Sequence, residues 1–139
     1  MIFQSWLDSV NGKFIDVDGN HKFWCVDLMR AYLRDYLGLS PWYMKPVMYA
    51  KDIFYNFPNN DKKFKKIVNT PNNIPQVGDI IFWKIYPFLY GYAGHVAIVT
   101  YADLYNIISM DQNYPTNSPC KLTKHSYRGC LGWLHPINK

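Results

Sequence analysis

Asp16-Val17-Asp18-Gly19-Asn20-His21-Lys22-Phe23-Trp24-Cys25-Val26-Asp27-Leu28 joins an acidic loop to the start of a helix and sets a cysteine at the junction. The helix follows from apolar spacing. Cys25, Leu28, Met29, Tyr32, Leu33 and Tyr36 return at the intervals that place side chains on one helical face. Gly38 then supplies a C-terminal stop. Cys25 therefore sits in the first turn, where unpaired N–H groups and the positive end of the helix dipole favour a charged sulfur. Such a sulfur is useful as a nucleophile only with a base beside it.

The same stretch carries a second pattern. Asp16, Asp18, Asn20 and Asp27 occupy the first, third, fifth and twelfth places of an oxygen-rich loop, most of an EF-hand ligand set. The glycine expected at the sixth place is His21, and the last ligand is Asp27 instead of the longer glutamate. No helical apolar pattern leads into Asp16. The spacing supports equally a calcium loop of another shape and a solvated polar turn.

Outward from this stretch, the chain is read as one domain, since 139 residues bury a real core but rarely build two domains. An apolar fraction of 49% makes it globular. Twelve Tyr and five Trp exceed what the core needs, so some are assigned to a surface groove, where a ring with a polar edge is useful. The net charge of +5 is spread out except at Lys62, Lys63, Lys65 and Lys66. It suits an anionic partner or a solubilising surface. Zinc-finger, RNP and basic-zipper signatures are absent, which argues against a nucleic-acid partner. Three cysteines do not make a disulfide framework, although a Cys120–Cys130 bridge is open. The N-terminus lacks a secretory signal core, and the strongest apolar run, Ile80 to Tyr90, is too short for a bilayer. The chain is thus read as made in the cytoplasm without a signal peptide and without membrane insertion.

Phe3, Trp6, Leu7 and Val10 predict a first helix ending near Gly12. After the Cys25 helix, Val47, Ala50, Ile53 and Phe54 predict a third, broken by Pro58. Phe64 to Val68 fits a strand or a helical turn, because Lys65 and Lys66 interrupt any period. β-type runs follow at Ile80–Ile85, His95–Tyr101, Tyr105–Met110 and Leu131–Leu134, with Ala102-Asp103-Leu104 closing a hairpin. Helices first and strands second make an α+β fold with a mostly antiparallel sheet.

Four histidines compete as the base. His21 lies in the acidic loop, and His125 and His135 are placed in or near C-terminal loops. His95 opens an apolar strand behind Gly94, which lets another backbone approach closely. The hairpin returns Asp111 and Asn113 beside it, both on one face. One of these would orient the imidazole, and the other would polarise an oxyanion or support the first.

These pieces together resemble the CHAP domain, the cysteine, histidine-dependent amidohydrolase/peptidase module of bacteriophage lysins and bacterial autolysins. The resemblance lies in Trp24-Cys25-Val26-Asp27-Leu28, Pro75-Gln76-Val77-Gly78-Asp79-Ile80, Gly94-His95-Val96-Ala97-Ile98-Val99, Asp111-Gln112-Asn113 and Gly132-Trp133-Leu134-His135-Pro136, in the family's order. It implies a papain-like fold with N-terminal helices packed on the sheet, and residues 1–139 as a single catalytic domain with no separate wall-binding domain. It implies Cys25 as nucleophile and His95 as base, with Asp111 and Asn113 completing the catalytic set. Asp111 stands where the family usually has glutamate. Calcium-binding phage members carry acidic residues at matching places, so the resemblance implies structural calcium held by Asp16, Asp18, Asn20, Asp27 and the Lys22 carbonyl. The implied activity is peptidoglycan hydrolysis by a thiol mechanism, as endopeptidase or N-acetylmuramoyl-L-alanine amidase, by a monomer released by a holin or carried in the virion. The alternatives are an NlpC/P60-type cysteine peptidase and a non-catalytic calcium- or wall-binding module.

Overall fold

The computed structural model describes residues 1–19, 24–84 and 93–137. Among the described residues, three helices precede the sheet: α1 (Phe3–Val10), α2 (Cys25–Asp35) and α3 (Ala50–Asn56). Six strands follow: β1 (Phe64–Val68), β2 (Ile80–Trp83), β3 (His95–Ala102), β4 (Ile107–Asp111), β5 (Lys121–His125) and β6 (Cys130–Pro136). They form one sheet in the order β1-β6-β2-β3-β4-β5, with every pairing antiparallel. The α+β expectation therefore holds.

The sheet is apolar on both faces. Along β3, Val96 and Ile98 join Leu28, Met29, Tyr32 and Phe54 of the helices in the larger core. The intervening Ala97 and Val99 point the other way, into a smaller cluster with Ile81, Trp83, Ile107 and Trp133. Double-sided burial explains why β2, Ile-Ile-Phe-Trp, is continuously apolar instead of alternating. Tyr127 and Cys130 pack against this second cluster.

The helices follow their apolar spacing closely. Gly12 and Gly38 take the left-handed backbone that ends α1 and follows α2. The third helix begins at Ala50, so Val47 lies ahead of it. The first predicted sheet run ends as a strand at Trp83, and Ile85 lies outside the described residues. The hairpin turn is longer than expected. Asp103 Oδ1 accepts the N–H groups of Tyr105 and Asn106 at 2.8 Å each, so β4 begins at Ile107.

His125 is the last residue of β5, a strand that none of the expected runs covers, and His135 is the next-to-last residue of β6, so both stand near loops, as expected, but within the sheet. β5 escaped the apolar reading because it is an edge strand, whose Lys121, Leu122 and Lys124 face solvent. Charged edges are how sheets avoid further pairing. β1, the other edge, carries Lys65 and Lys66 for the same reason, and Lys66 Nζ also donates to the Phe57 carbonyl at 2.9 Å. Cys120 and Cys130 are free thiols, not a disulfide. Burial pushes both up to about 12. None of the described helices is long and apolar enough to cross a membrane.

Candidate active site

Cys25 is the first residue of α2, and the structure holds that helix start from two sides. Asp27 Oδ2 accepts the Trp24 N–H at 3.1 Å, and its Oδ1 accepts the Val17 N–H at 3.1 Å, tying the acidic loop to the helix. From the sheet side comes Gln112, fully buried just after β4. Its Nε2 donates to the carbonyls of Trp24 at 2.8 Å and Ile15 at 2.9 Å, while its Oε1 accepts the Ile15 N–H at 2.6 Å. One side chain thus fastens the loop and the residue ahead of Cys25 to the strand that carries Asp111.

His95 opens β3 and is fully buried. Gly94 ahead of it has φ +73°, and a Cβ there would stand 2.6 Å from the Trp83 carbonyl oxygen. Only glycine allows β2 and the neighbouring Lys51 backbone so close. His95 Nε2 lies 2.6 Å from Asp111 Oδ2. His125 Nε2 reaches the same oxygen at 2.8 Å, and the Ser109 hydroxyl donates to Oδ1. A carboxylate without a proton only accepts, so Nε2 of both rings carries hydrogen, which leaves His95 Nδ1 for the thiol of Cys25.

The electrostatics agree with this arrangement. Burial by itself would raise the Asp111 carboxyl, but the bonds from His125 and His95 outweigh it and hold the group below its ordinary value. For His95, burial disfavours the charged ring. Hydrogen bonds and charge from Asp111 and Cys25 overcome that and raise it to about 9. A base raised in the fold stabilises the fold when charged. That contribution is complete below the free imidazole value of about 6.5. It disappears as pH rises through about 9. Melting temperature is therefore expected to fall between these limits, in a scan at constant ionic strength. A flat profile across the window would mean that His95 is neutral in the folded chain.

Cys25 opens onto a groove of about 530 Å³. Trp24, Trp42, Val47, Met48 and Tyr49 make its apolar lining, and Asn113 and Thr116 lie along it. Trp42 stacks on the guanidinium of Arg30 at 4.3 Å, and Arg30 Nη1 in turn donates to the Pro41 and Met44 carbonyls at 2.8 and 3.3 Å. The aromatic excess thus divides: Trp24 and Trp42 line the groove, whereas Trp6, Trp83 and Trp133 are core residues. Asn113 has φ +64° and its Oδ1 accepts the Asn117 N–H at 2.7 Å, so its carbonyl oxygen shapes the turn after β4.

At the acidic loop, carboxylate oxygens of Asp16, Asp18 and Asp27 lie within 4.8 Å of one another. Asp16 Oδ1 also accepts the Gly19 N–H at 3.0 Å. Burial raises the Asp27 carboxyl, and the charges of Asp18 and Asp16 push it the same way against its two backbone hydrogen bonds. Three converging hard oxygen donors suit a divalent cation such as calcium. Asn20 and Lys22, expected to complete the set, lie outside the described residues.

Of the expected catalytic residues, Cys25, His95 and Asp111 come together, and Asn113 lines the same groove. The sequence reading missed His125, Ser109 and the anchoring role of Gln112. Ser109 was findable: two residues before Asp111 on a strand, it shares that face. His125 was not, because nothing local distinguishes a polar edge strand from a loop.

A family model described as the CHAP domain matches residues 16–113. In three dimensions the chain is similar to the wild-type endolysin LysIME-EF1, with a TM-score of 0.73 and 24% identity over 95% of this chain and 61% of that one. It is also similar to Ly7917, with a TM-score of 0.64 and 19% identity over 94% of this chain and 59% of that one. A further structure of Ly7917, with the hydrolyzing product of MDP, matches equally. The chain therefore spans about three fifths of the length of these solved chains. The family match covers the acidic loop, the Cys25 helix, the His95 strand and the Asp111–Asn113 strand end, and this chain belongs to the CHAP domain family.

Proposed function

We propose that this chain is a peptidoglycan hydrolase of the phage-lysin kind, cutting an amide bond of the wall peptide with Cys25 as nucleophile. The observation that carries the proposal is the placement of Cys25 at a helix start against His95, whose far nitrogen is held by Asp111 at 2.6 Å. His95 Nδ1 takes the thiol proton, and the sulfur attacks the amide carbonyl. The oxyanion formed lies beside the first N–H groups of α2, where Cys25's own backbone N–H can stabilise it. His95 then gives its proton to the leaving amine, which departs as the thioester forms. Water, deprotonated by His95, hydrolyses the thioester and restores the thiol.

The groove fits this role. An extended peptide laid along it meets the apolar side chains of Trp42, Val47 and Met48 and the polar side chains of Asn113 and Thr116. The structural likeness to the endolysin LysIME-EF1 supports the wall peptide as substrate. The enzyme acts as a monomer on the wall, after holin release or delivery in the virion. Incubation with purified Gram-positive walls, followed by analysis of the new termini, tests the proposal. New amino termini within the stem or cross-bridge mark an endopeptidase, and free muramic acid carboxyls mark an amidase. Walls left intact, with iodoacetamide labelling Cys25 no faster than Cys120 and Cys130, would instead make the chain a binding module.

The acidic loop is proposed to hold structural calcium through Asp16, Asp18 and Asp27, with Asn20 and the Lys22 carbonyl as further ligands. Bound there, the ion neutralises three mutually repelling carboxylates. Because Asp27 also holds the Trp24 N–H, what steadies Asp27 steadies the turn that carries Cys25. EDTA is expected to lower the melting temperature and slow lysis, with recovery on adding calcium but little on adding magnesium, which demands stricter octahedral geometry. Asp18→Ala should reproduce the EDTA effect while Cys25 stays open to alkylation. Identical melting and lysis with and without EDTA would remove calcium from the proposal and leave the Cys25–His95 chemistry standing.

A further inference from the structure

We propose that His125 is a positioning residue for the Cys25 reaction, acting through Asp111 to aim His95. The inference rests on the hydrolase reading above and extends it to a fourth side chain. His125 arrives from the far edge strand, and its side chain is only 2% exposed. Its Nε2 lies 2.8 Å from Asp111 Oδ2, the oxygen that also faces His95 Nε2 at 2.6 Å. The ring is seated between aromatic neighbours, with centroids 4.5 Å from Trp83 and 4.8 Å from Tyr114. Both neighbours also border His95, at 5.7 and 5.2 Å.

The need for such a residue follows from the shortness of Asp111. The terminal torsion of aspartate is broad, so one hydrogen bond does not fix where its oxygens point. Ser109 holds Oδ1, but a hydroxyl rotates to follow its acceptor. His125 is different, because its N–H lies in the plane of a ring clamped by Trp83 and Tyr114. A carboxylate oxygen has two lone pairs, so Oδ2 can accept from His125 and His95 together. The pair Asp111 and His125 thereby fixes both the ring angle of His95 and the nitrogen that carries its proton. A histidine that merely filled the second cluster would have no reason to share this oxygen.

The test uses two substitutions, one double variant and two readouts. His125→Leu removes the donor and is expected to lower kcat about tenfold or more with KM little changed, as loss of a buried hydrogen bond to a charged group predicts. His125→Gln places an amide N–H close to the lost Nε2 and should restore kcat to within about threefold of the starting chain. In an Asp111→Ala background, His125→Leu should cost nothing further, because its effect passes through that carboxylate. Independent, multiplying losses would overturn the proposal, as would full activity in His125→Leu. Should His125→Leu fail to fold, His125→Gln and proton NMR decide. The downfield N–H resonances of two carboxylate-bound imidazoles should be seen in the unsubstituted chain, with the His95 signal persisting in His125→Gln. Absence of the second resonance, or an inactive but stably folded Gln variant, would overturn it. If the unsubstituted chain leaves walls intact, the hydrolase reading fails on its own. Alkylation of Cys25 by iodoacetamide across the same variants then still judges His125: slowing by Leu with recovery by Gln supports the positioning role, and equal rates refute it.

Discussion

Cys25→Ser is expected to fold with its melting temperature little changed and to lose wall lysis by about a thousandfold or more, the scale seen when a nucleophile is removed from a catalytic unit. The substitution exchanges one atom at a half-buried helix start, so packing has little to lose. Chemistry has much to lose. A serine hydroxyl resists ionisation far more than a thiol, and a base matched to sulfur does not deprotonate it at neutral pH. Turbidity loss of Gram-positive cells, measured beside calorimetry of the same preparation, separates the two effects. Lysis within a few-fold of the starting chain would end the thiol mechanism, whatever the fate of the calcium site.

The second large effect is expected at Asp111. Three donors converge on this buried carboxylate: His95, His125 and Ser109. Asp111→Asn keeps the shape but puts an N–H where an acceptor stood, so His95 can no longer rely on its Nε2–H being held. The imidazole then adopts the other tautomer in part, with hydrogen on the nitrogen facing Cys25, and turnover should fall by up to ~10⁴-fold, as in other wrong-tautomer substitutions. Asp111→Ala should be as inactive and less stable, because each stranded buried donor costs about 1–3 kcal/mol. Asn113 should matter less. Its carbonyl oxygen already holds the Asn117 N–H, so Asn113→Ala loses a turn contact and strains a positive-φ position, whereas Asn113→Gly keeps the backbone. Steady-state kinetics on a soluble wall peptide would rank the variants. Changes of only a few-fold at both positions would mean that something other than the β4 end orients His95.

Local pattern was enough to determine the helices, the Cys25 junction and the strand that begins at His95. Their apolar residues recur at helical or strand spacing, and their ends are marked by Gly12, Gly38 and Gly94, whose backbone angles most other residues resist. It also determined that Asp111 returns near His95, because a hairpin brings the end of its second strand back to the start of its first; the longer turn and a bulge between Val99 and Tyr101 then set the register, with Ile98 opposite Met110. Tertiary structure alone decided which histidine joins that pair. His125 sits on a polar edge strand with no periodic signal, and its ring reaches Asp111 only because β5 folds back along β4. The same holds for Gln112, which spans from the strand end to Ile15 and Trp24, residues remote in sequence. A hydrogen bond between distant segments leaves no imprint on the spacing of either one. The strand ladder and the two apolar clusters bring those segments together, and only then does a buried polar side chain acquire its partner and its role.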